Sequence, residues 1–293
     1  MPTVPQVTRL SLKNILFPTD FSPASRAALP FAVALARIYG STLVVAHAIP
    51  PEPHLQVVLD RLPSQDDRVR QDARHKLHEF THGRSLGNTP VKVLLDQGDL
   101  QDVIPAIIRE RDIDLVVLGT HGRRGLSKLM LGSDAEKIYR SASCPVLTIG
   151  PHVHETADWK LRRILCPVDV AEDPEVVLHY ALSLAEENQA ELVVLQAIPL
   201  VPWQHRAAVE ERSRRALESL MPAQAQDWCT PEYVIRWEHP VEAILQTSQE
   251  RDSDLIVMSV HKARASGLAA HLPWPVASEV VSRATCPVLT IRV

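Results

Sequence analysis

Aromatic residues are scarce in this chain of 293 residues: Phe, Trp and Tyr together make up 4% of it. Few rings are therefore on offer for stacking nucleic-acid bases. A basic excess is missing too. Lys and Arg number 31 against 35 Asp and Glu, a formal net charge of −4, which argues against a general nucleic-acid binder. No apolar run approaches the ~20 residues that span a bilayer. The opening stretch MPTVPQVTRLSLKNILFP has no basic segment followed by an apolar one, so no secretory signal is expected. The four cysteines (Cys144, Cys166, Cys229 and Cys286) lie far apart, with no C-x-x-C. That spacing suits neither a zinc site nor a thioredoxin-like motif and reads as reduced structural thiols in a cytoplasmic protein. G-x-x-x-x-G-K-[ST], G-x-G-x-x-G and G-x-S-x-G are all absent, which removes a Walker-type loop, the dinucleotide fingerprint and the hydrolase nucleophile elbow.

What is present is ordinary globular composition, 45% hydrophobic and 23% charged, over a length of about two domains at ~150 residues each. The chain is also written twice. KNILFPTD (Lys13–Asp20) returns as RRILCPVD (Arg162–Asp169), and LVVAHAIP (Leu43–Pro50) as LVVLQAIP (Leu192–Pro199). DLVVLGTH (Asp114–His121) returns as DLIVMSVH (Asp254–His261), and SCPVLTI (Ser143–Ile149) as TCPVLTI (Thr285–Ile291). Four matched segments in one order mean two copies of one domain. The expected division is residues 1–150, a polar linker 151–158, and residues 159–293.

Each copy alternates strands and helices. Ile15–Pro18 is a short apolar run, followed by Ser22 as a helix N-cap candidate and Pro23 at the first helical position. Asp173-Pro174 repeats that device in the second copy. Gly40 suits the first helix's end, and Pro30 inside that helix should kink it or free a backbone bond. Leu43–Ile49 reads as a strand buried on both faces. Ser64–His82 reads as an amphipathic helix, Val91–Leu95 as a strand and Leu100–Arg111 as a helix with an internal proline, Pro105. Leu115–Gly119 is a strand, Gly132–Ser141 a helix and Pro145–Ile149 a last strand. Strands joined by helices of ten residues or more form parallel βαβ units with right-handed crossovers. The fold class is α/β: two repeated Rossmann-like open parallel five-stranded sheets with helices on both faces. Such sheets bind ligands beyond the carboxyl ends of their strands.

The richest stretch, GTHGRRGLSKLMLGS (Gly119–Ser133), runs from the end of a buried strand to the start of a helix. Gly119, Gly122, Gly132 and Ser133 form the pattern G-x2-G-x9-G-S. Such a loop brings backbone N–H groups close to an anion, and Gly132-Ser133 adds a helix N-terminus and a hydroxyl. Between Gly119 and Arg140 stand five Lys or Arg, Arg123 and Lys137 among them, against Asp134 and Glu136. That balance suits a polyphosphate; His121 reads either as a group that orients one or, as loop histidines more often are, as a solvated bystander. A glycine-bearing strand–loop–helix junction also serves as a plain turn.

KNILFPTDFS, LVVAHAI, DLVVLGTHGRRGLSKLMLGSDAEKI and SCPVLTI together resemble the universal stress protein family in its tandem two-domain form, over nearly the whole chain. The resemblance implies the sheet order 3-2-1-4-5 and ATP as ligand, with Mg²⁺ or Mn²⁺ bridging its phosphates. It also implies site residues: Asp20 at the ribose, the backbone of Ala48 at the adenine, and Gly119, Gly122, Gly132 and Ser133 at the phosphates. Asp20 alone reads equally as a cap for the following helix.

The second copy has lost the phosphate end. Ser259 stands for Gly119, Lys262 for Gly122, and Trp274-Pro275 for Gly132-Ser133, while Asp169 and Ala197 still match Asp20 and Ala48. Proline has no N–H to offer. The second copy is expected to bind no ATP, or an adenosine-like ligand weakly. Its other expected role is a structural partner, pairing Pro145–Ile149 with Pro287–Val293 as an intramolecular pseudo-dimer; a homodimer of chains is a further option. His152, His154 and Glu155 in the linker, and His75, His78 and His82 on the amphipathic helix, are of metal-capable types but read as solvated surface. Trp203, Trp228, Trp237 and Trp274 read as partly buried packing or a contact surface.

The function expected is a cytoplasmic stress-response protein that binds ATP or ADP in its first domain as a nucleotide-dependent regulator or sensor, without nucleic acid or membrane. The alternatives are a slow ATP hydrolase and a structural interaction protein without nucleotide. No base to orient water and no acidic pair for two metals stand out.

Overall fold

The computed structural model describes residues 10–51, 64–82, 86–120, 133–154, 159–170, 172, 174–199, 202–222, 225, 229–260 and 273–293. The first half runs β1 (Asn14–Pro18), α1 (Pro23–Tyr39), β2 (Thr42–Ile49), α2 (Ser64–Thr81), β3 (Val91–Gln97), α3 (Leu100–Glu110), β4 (Leu115–Gly119), α4 (Ser133–Ser141) and β5 (Val146–Ile149). The second runs β6 (Arg163–Pro167), α5 (Glu175–Asn188), β7 (Glu191–Ala197), α6 (Arg206–Ser219), β8 (Glu232–Arg236), α7 (Pro240–Glu250), β9 (Leu255–Val260), α8 (Pro273–Arg283) and β10 (Val288–Arg292).

All strands join one ten-stranded sheet, β3-β2-β1-β4-β5-β10-β9-β6-β7-β8. Each half contributes five strands in the order 3-2-1-4-5, parallel throughout. The halves meet at an antiparallel seam, with Val288 opposite Thr148 and Thr290 opposite Val146. The two sheets expected from sequence are thus continuous. The central strands are mostly apolar because alternate residues feed opposite layers. Ile15 and Phe17 of β1 enter one core and Leu16 the other; Leu115 and Val117 of β4 likewise part from Val116 and Leu118. Both cores run through both halves.

Local chemistry sets the element ends. Ser22 is extended, and its hydroxyl accepts from the Ser25 N–H at 3.2 Å, capping α1. Gly40 ends α1 in the left-handed region at φ 64°, where glycine carries no Cβ penalty. Both α1 and α3 continue through their internal prolines, Pro30 and Pro105. The cap expected at Asp173-Pro174 differs: Pro174 itself occupies the N-cap of α5 and makes no side-chain cap bond, while Asp173 lies outside the described residues. Each half starts β1 or β6 with the same clamp. The Asp114 carboxylate accepts the N–H of Lys13 and Asn14 at 2.7 and 2.9 Å, and Asp254 accepts those of Arg162 and Arg163 at 3.0 and 2.9 Å.

The segments leading into β1 and β6 each cross to the other half. The Leu10 N–H donates to Glu187 on α5 at 2.7 Å. Trp159, at the matching place in the second copy, packs edge-on against Phe31 of α1, ring centres 5.2 Å apart, and its indole N–H donates to the Asp254 carbonyl at 3.2 Å. The sequence places Trp159 at the edge of the polar linker, as the first residue of the second copy; the structure buries it in the shared core. Across the seam, a Cβ on Gly150 would lie 2.2 Å from the Val281 carbonyl oxygen of α8, so only glycine allows this approach.

Candidate functional site

β1, β2 and β4 end together, and the chain leaves them toward α1, the segment after β2, and the segment after β4. A cavity of about 630 Å³ lies there, bounded by these strand ends, α3 and α4. That is ample for a nucleotide-sized ligand. Its depth is apolar, lined by buried Ile104 and Ile107 of α3, Leu118 of β4 and Ile138 of α4. Its polar groups include Asp20, His47, Asp99 and Lys137, with the hydroxyls of Thr19, Ser25 and Thr120.

The loop after β1 is tightly built. The Thr19 hydroxyl bonds Ser25 at 2.7 Å and accepts the Phe21 N–H at 3.0 Å. The Asp20 carboxylate accepts the Ser22 N–H at 3.0 Å. Asp20 therefore shapes the turn into α1 while Ser22 caps the helix, and it also borders the cavity. Phe21 sits at φ 62°, a left-handed conformation costly for a bulky side chain. Its ring is held against His47, centres 4.5 Å apart, and edge-on to Phe80 at 5.9 Å. The His47 Nδ1 lies 2.7 Å from the Thr19 carbonyl. Sequence reading passed over Phe21 and His47, since neither residue type signals a backbone dihedral or a ring contact.

Gly119 ends β4 at the cavity, and a Cβ there would lie 2.2 Å from the Ala24 carbonyl oxygen. Its glycine thus has a packing reason beside the expected ligand reason: it lets the first turn of α1 reach the strand end. Ala48 also borders the cavity, in register with Asp96 of β3. Ser133 opens α4, but its side chain, together with His121, Gly122, Arg123 and Gly132, lies outside the described residues. Of the expected site residues, the structure brings Asp20, Ala48 and Gly119 to one cavity.

At the rim, Lys137 of α4 faces Asp99, Nζ to Oδ1 3.6 Å. Asp99 also caps α3 through the Gln101 N–H at 3.3 Å. Glu279 stands in the second copy where Lys137 stands in the first, and His239 where Asp99 stands. Arg283 grips Glu279 at 2.8 Å and Glu242 at 2.7 Å. This holds the Glu242 carboxyl below the usual carboxylate range, chiefly through that hydrogen bond. Proline marks the helix starts on this side of the second half: Pro174 before α5, Pro240 opening α7, and Pro273 with Pro275 in the first turn of α8. Each removes a donor that an anion would use.

The remaining candidates stay at the surface or in the core. On α2, His75 faces Glu79 at 3.2 Å, and the exposed His78 ring stacks at 3.5 Å on that of His82, just past the helix end. Among the described residues no group of three or more His, Cys, Asp or Glu is arranged to hold a metal ion. His152 and His154 lie after β5, and Glu155 is outside the described residues. The cysteines are free. Burial pushes the Cys144 thiol up to about 12 and Cys286 up to about 11, and raises Cys166 and Cys229 as well, so these thiols are poor nucleophiles. The Arg206 guanidinium lies 5.2 Å from the ring centre of Trp237, while the side chains of Trp203, Trp228 and Trp274 are outside the described residues. No described helix is long and apolar enough to cross a membrane.

Comparison with known proteins gives a consistent picture. The model of the universal stress protein family matches residues 11–150 and again 160–292. A universal stress protein of Mycolicibacterium smegmatis is 23% identical over 296 residues, covering 95% of this chain and 97% of that protein. Universal stress protein A homolog 1 of Coxiella burnetii is 31% identical over 140 residues, which is 47% of this chain and 95% of the relative. Among solved structures, a universal stress protein from Archaeoglobus fulgidus is similar in fold, with a TM-score of 0.70 at 17% identity, covering 95% of this chain and 98% of that one.

Proposed function

From the premise that the chain belongs to the universal stress protein family, we propose that its first half is an ATP-binding regulator or sensor and its second half a structural partner. The observation that carries this reading is the cavity of about 630 Å³ at the carboxyl ends of β1, β2 and β4, bordered by Asp20, Ala48 and Gly119. Its apolar depth between α3 and α4 suits a purine. Asp20 at the rim suits a ribose hydroxyl, and the segment after Gly119 would carry the phosphates with Gly122, Arg123, His121, Gly132 and Ser133. Residues 1–150 and 159–293 then act as two domains joined by 151–158, paired through β5 and β10 as a pseudo-dimer. A divalent ion would take its ligands from the phosphates. The protein acts in the cytoplasm, in keeping with its free cysteines.

The test is to release and identify whatever co-purifies, by acid extraction and mass spectrometry with stoichiometry, and then to titrate the full chain with Mg-ATP. The expected result is about one ATP or ADP per chain, lost in Gly122→Lys, which copies Lys262 of the second half. Two nucleotides per chain would overturn the one-site reading. No nucleotide and no binding on titration would overturn ATP as ligand and leave a protein working through its surfaces. Steady phosphate release from the wild type would replace the sensor with a slow hydrolase.

A further inference from the structure

Among the described residues, the rim of the cavity brings a cation and an anion into contact. Lys137 Nζ lies 3.6 Å from Asp99 Oδ1, both partly exposed, above the buried apolar walls formed by Ile104, Ile107 and Leu118. A separation of 3.6 Å between exposed groups is a loose pair, worth little to stability. Asp99 does not depend on Lys137 for its place, since it caps α3 through the Gln101 N–H. Lys137 is therefore a charge on a long stem, at the mouth of a ligand-sized cavity, with a partner it can leave. The second half has the opposite sign at the matching position: Glu279, fixed by Arg283.

We propose that Lys137 is a specificity-determining cation of this cavity. It exchanges Asp99 for an anionic group of the ligand, so that the first half distinguishes a phosphorylated nucleoside from the same nucleoside without phosphate. Asp99 competes for the lysine and sets how strongly the cavity favours charge. Bound phosphate gains a charge-assisted hydrogen bond, while Asp99 keeps its backbone partner at α3. This inference rests on the nucleotide reading above and adds a residue to it.

Calorimetric titration of the full chain with Mg-ATP and with adenosine separates the two. In the wild type, ATP is expected to bind more tightly than adenosine. Lys137→Gln is expected to weaken ATP about tenfold, as for loss of one charge-assisted contact, with adenosine unchanged. Asp99→Asn keeps the helix cap, because asparagine caps as well as aspartate, but removes the competing charge. It is expected to strengthen ATP binding severalfold, a gain that a merely structural role would not produce. A wild type that prefers ATP, with the same preference in Lys137→Gln and no gain in Asp99→Asn, overturns the proposal and leaves the nucleotide site standing. A wild type that binds neither ligand overturns both.

Discussion

The two halves share a strand order and an aspartate clamp, yet among the described residues they differ where the chain leaves the carboxyl ends of β1 and β6, β3 and β8, and at the end of β4 against its counterpart in β9. In the first half α1 begins at Pro23, and Gly119 admits it to within 2.2 Å of where a Cβ would be. In the second, α5 begins at Glu175, three residues later by the repeat alignment, and Ser259 replaces the glycine. In the first half α1 and α3 begin with side-chain caps, Ser22 and Asp99, whereas their counterparts α5 and α7 have no such bond. Strain follows the same division: Phe21 is held at φ 62°, and its counterpart Val170 is not among the described residues with positive φ. The comparison teaches that core and site are under separate demands. Both cores were kept in both copies, while donors, glycines and strain remained where a ligand is expected.

The largest effect should come from breaking what the halves share. Trp159→Ala removes a buried ring packed on Phe31 and its bond to Asp254, and should cost about 3–5 kcal/mol, read as a lower midpoint in urea. Trp159→Phe should recover most of that loss. Next is Gly119→Ser, which imports the second half's residue. Its Cβ must displace the backbone of α1, so a loss of about 1–3 kcal/mol is expected, with nucleotide binding lost too. The converse Ser259→Gly should leave the melting temperature nearly unchanged, and an equal effect of the two would show that the halves tolerate this position alike. Smaller is the helix end: Gln189 occupies the left-handed position, φ 53°, that Gly40 occupies in the first half. Gln189→Gly should stabilise by about 0.5–1 kcal/mol, seen as a rise in thermal midpoint.

The smallest is a pH effect confined to the second half. Glu232 is held below the usual carboxylate range chiefly by its hydrogen bond from Arg251, and Glu242 by that from Arg283. A depressed carboxylate stabilises the fold above its unfolded value, and that contribution is lost as pH falls through the folded one. Acid should therefore loosen β8, α7 and α8 slightly before the first half, and exchange of backbone amides below pH 5 is the measurement. Both groups are largely solvated, so the difference will be small.

Much of this was written plainly in the sequence. Four repeated segments disclose the duplication, and runs such as LVVAHAI can only be strands covered on both faces. The resemblance to the family points to Asp20 and Ala48 and the glycine pattern to Gly119, and all three border one cavity. Other features depend on contacts between distant residues, which no local pattern records. Trp159 sits in a polar stretch and gives no sign that it inserts into the opposite half. Phe21 looks like an ordinary residue before a helix cap. The spacing of Lys137 gives only a helical position, and its pairing with Asp99 arises because α3 and α4 pack side by side.

The antiparallel seam between β5 and β10 has a thermodynamic consequence. Strands on separate molecules meet according to their concentration, and their pairing weakens on dilution. Here residues 150–162 join β5 to β6 of the second half, which carries β10, so the seam pairing is intramolecular and governed by a fixed effective concentration. The sheet should stay closed at any dilution, with a melting temperature independent of protein concentration. One half can then lose the groups that bind a ligand without losing its partner, since the chain cannot exchange it for another.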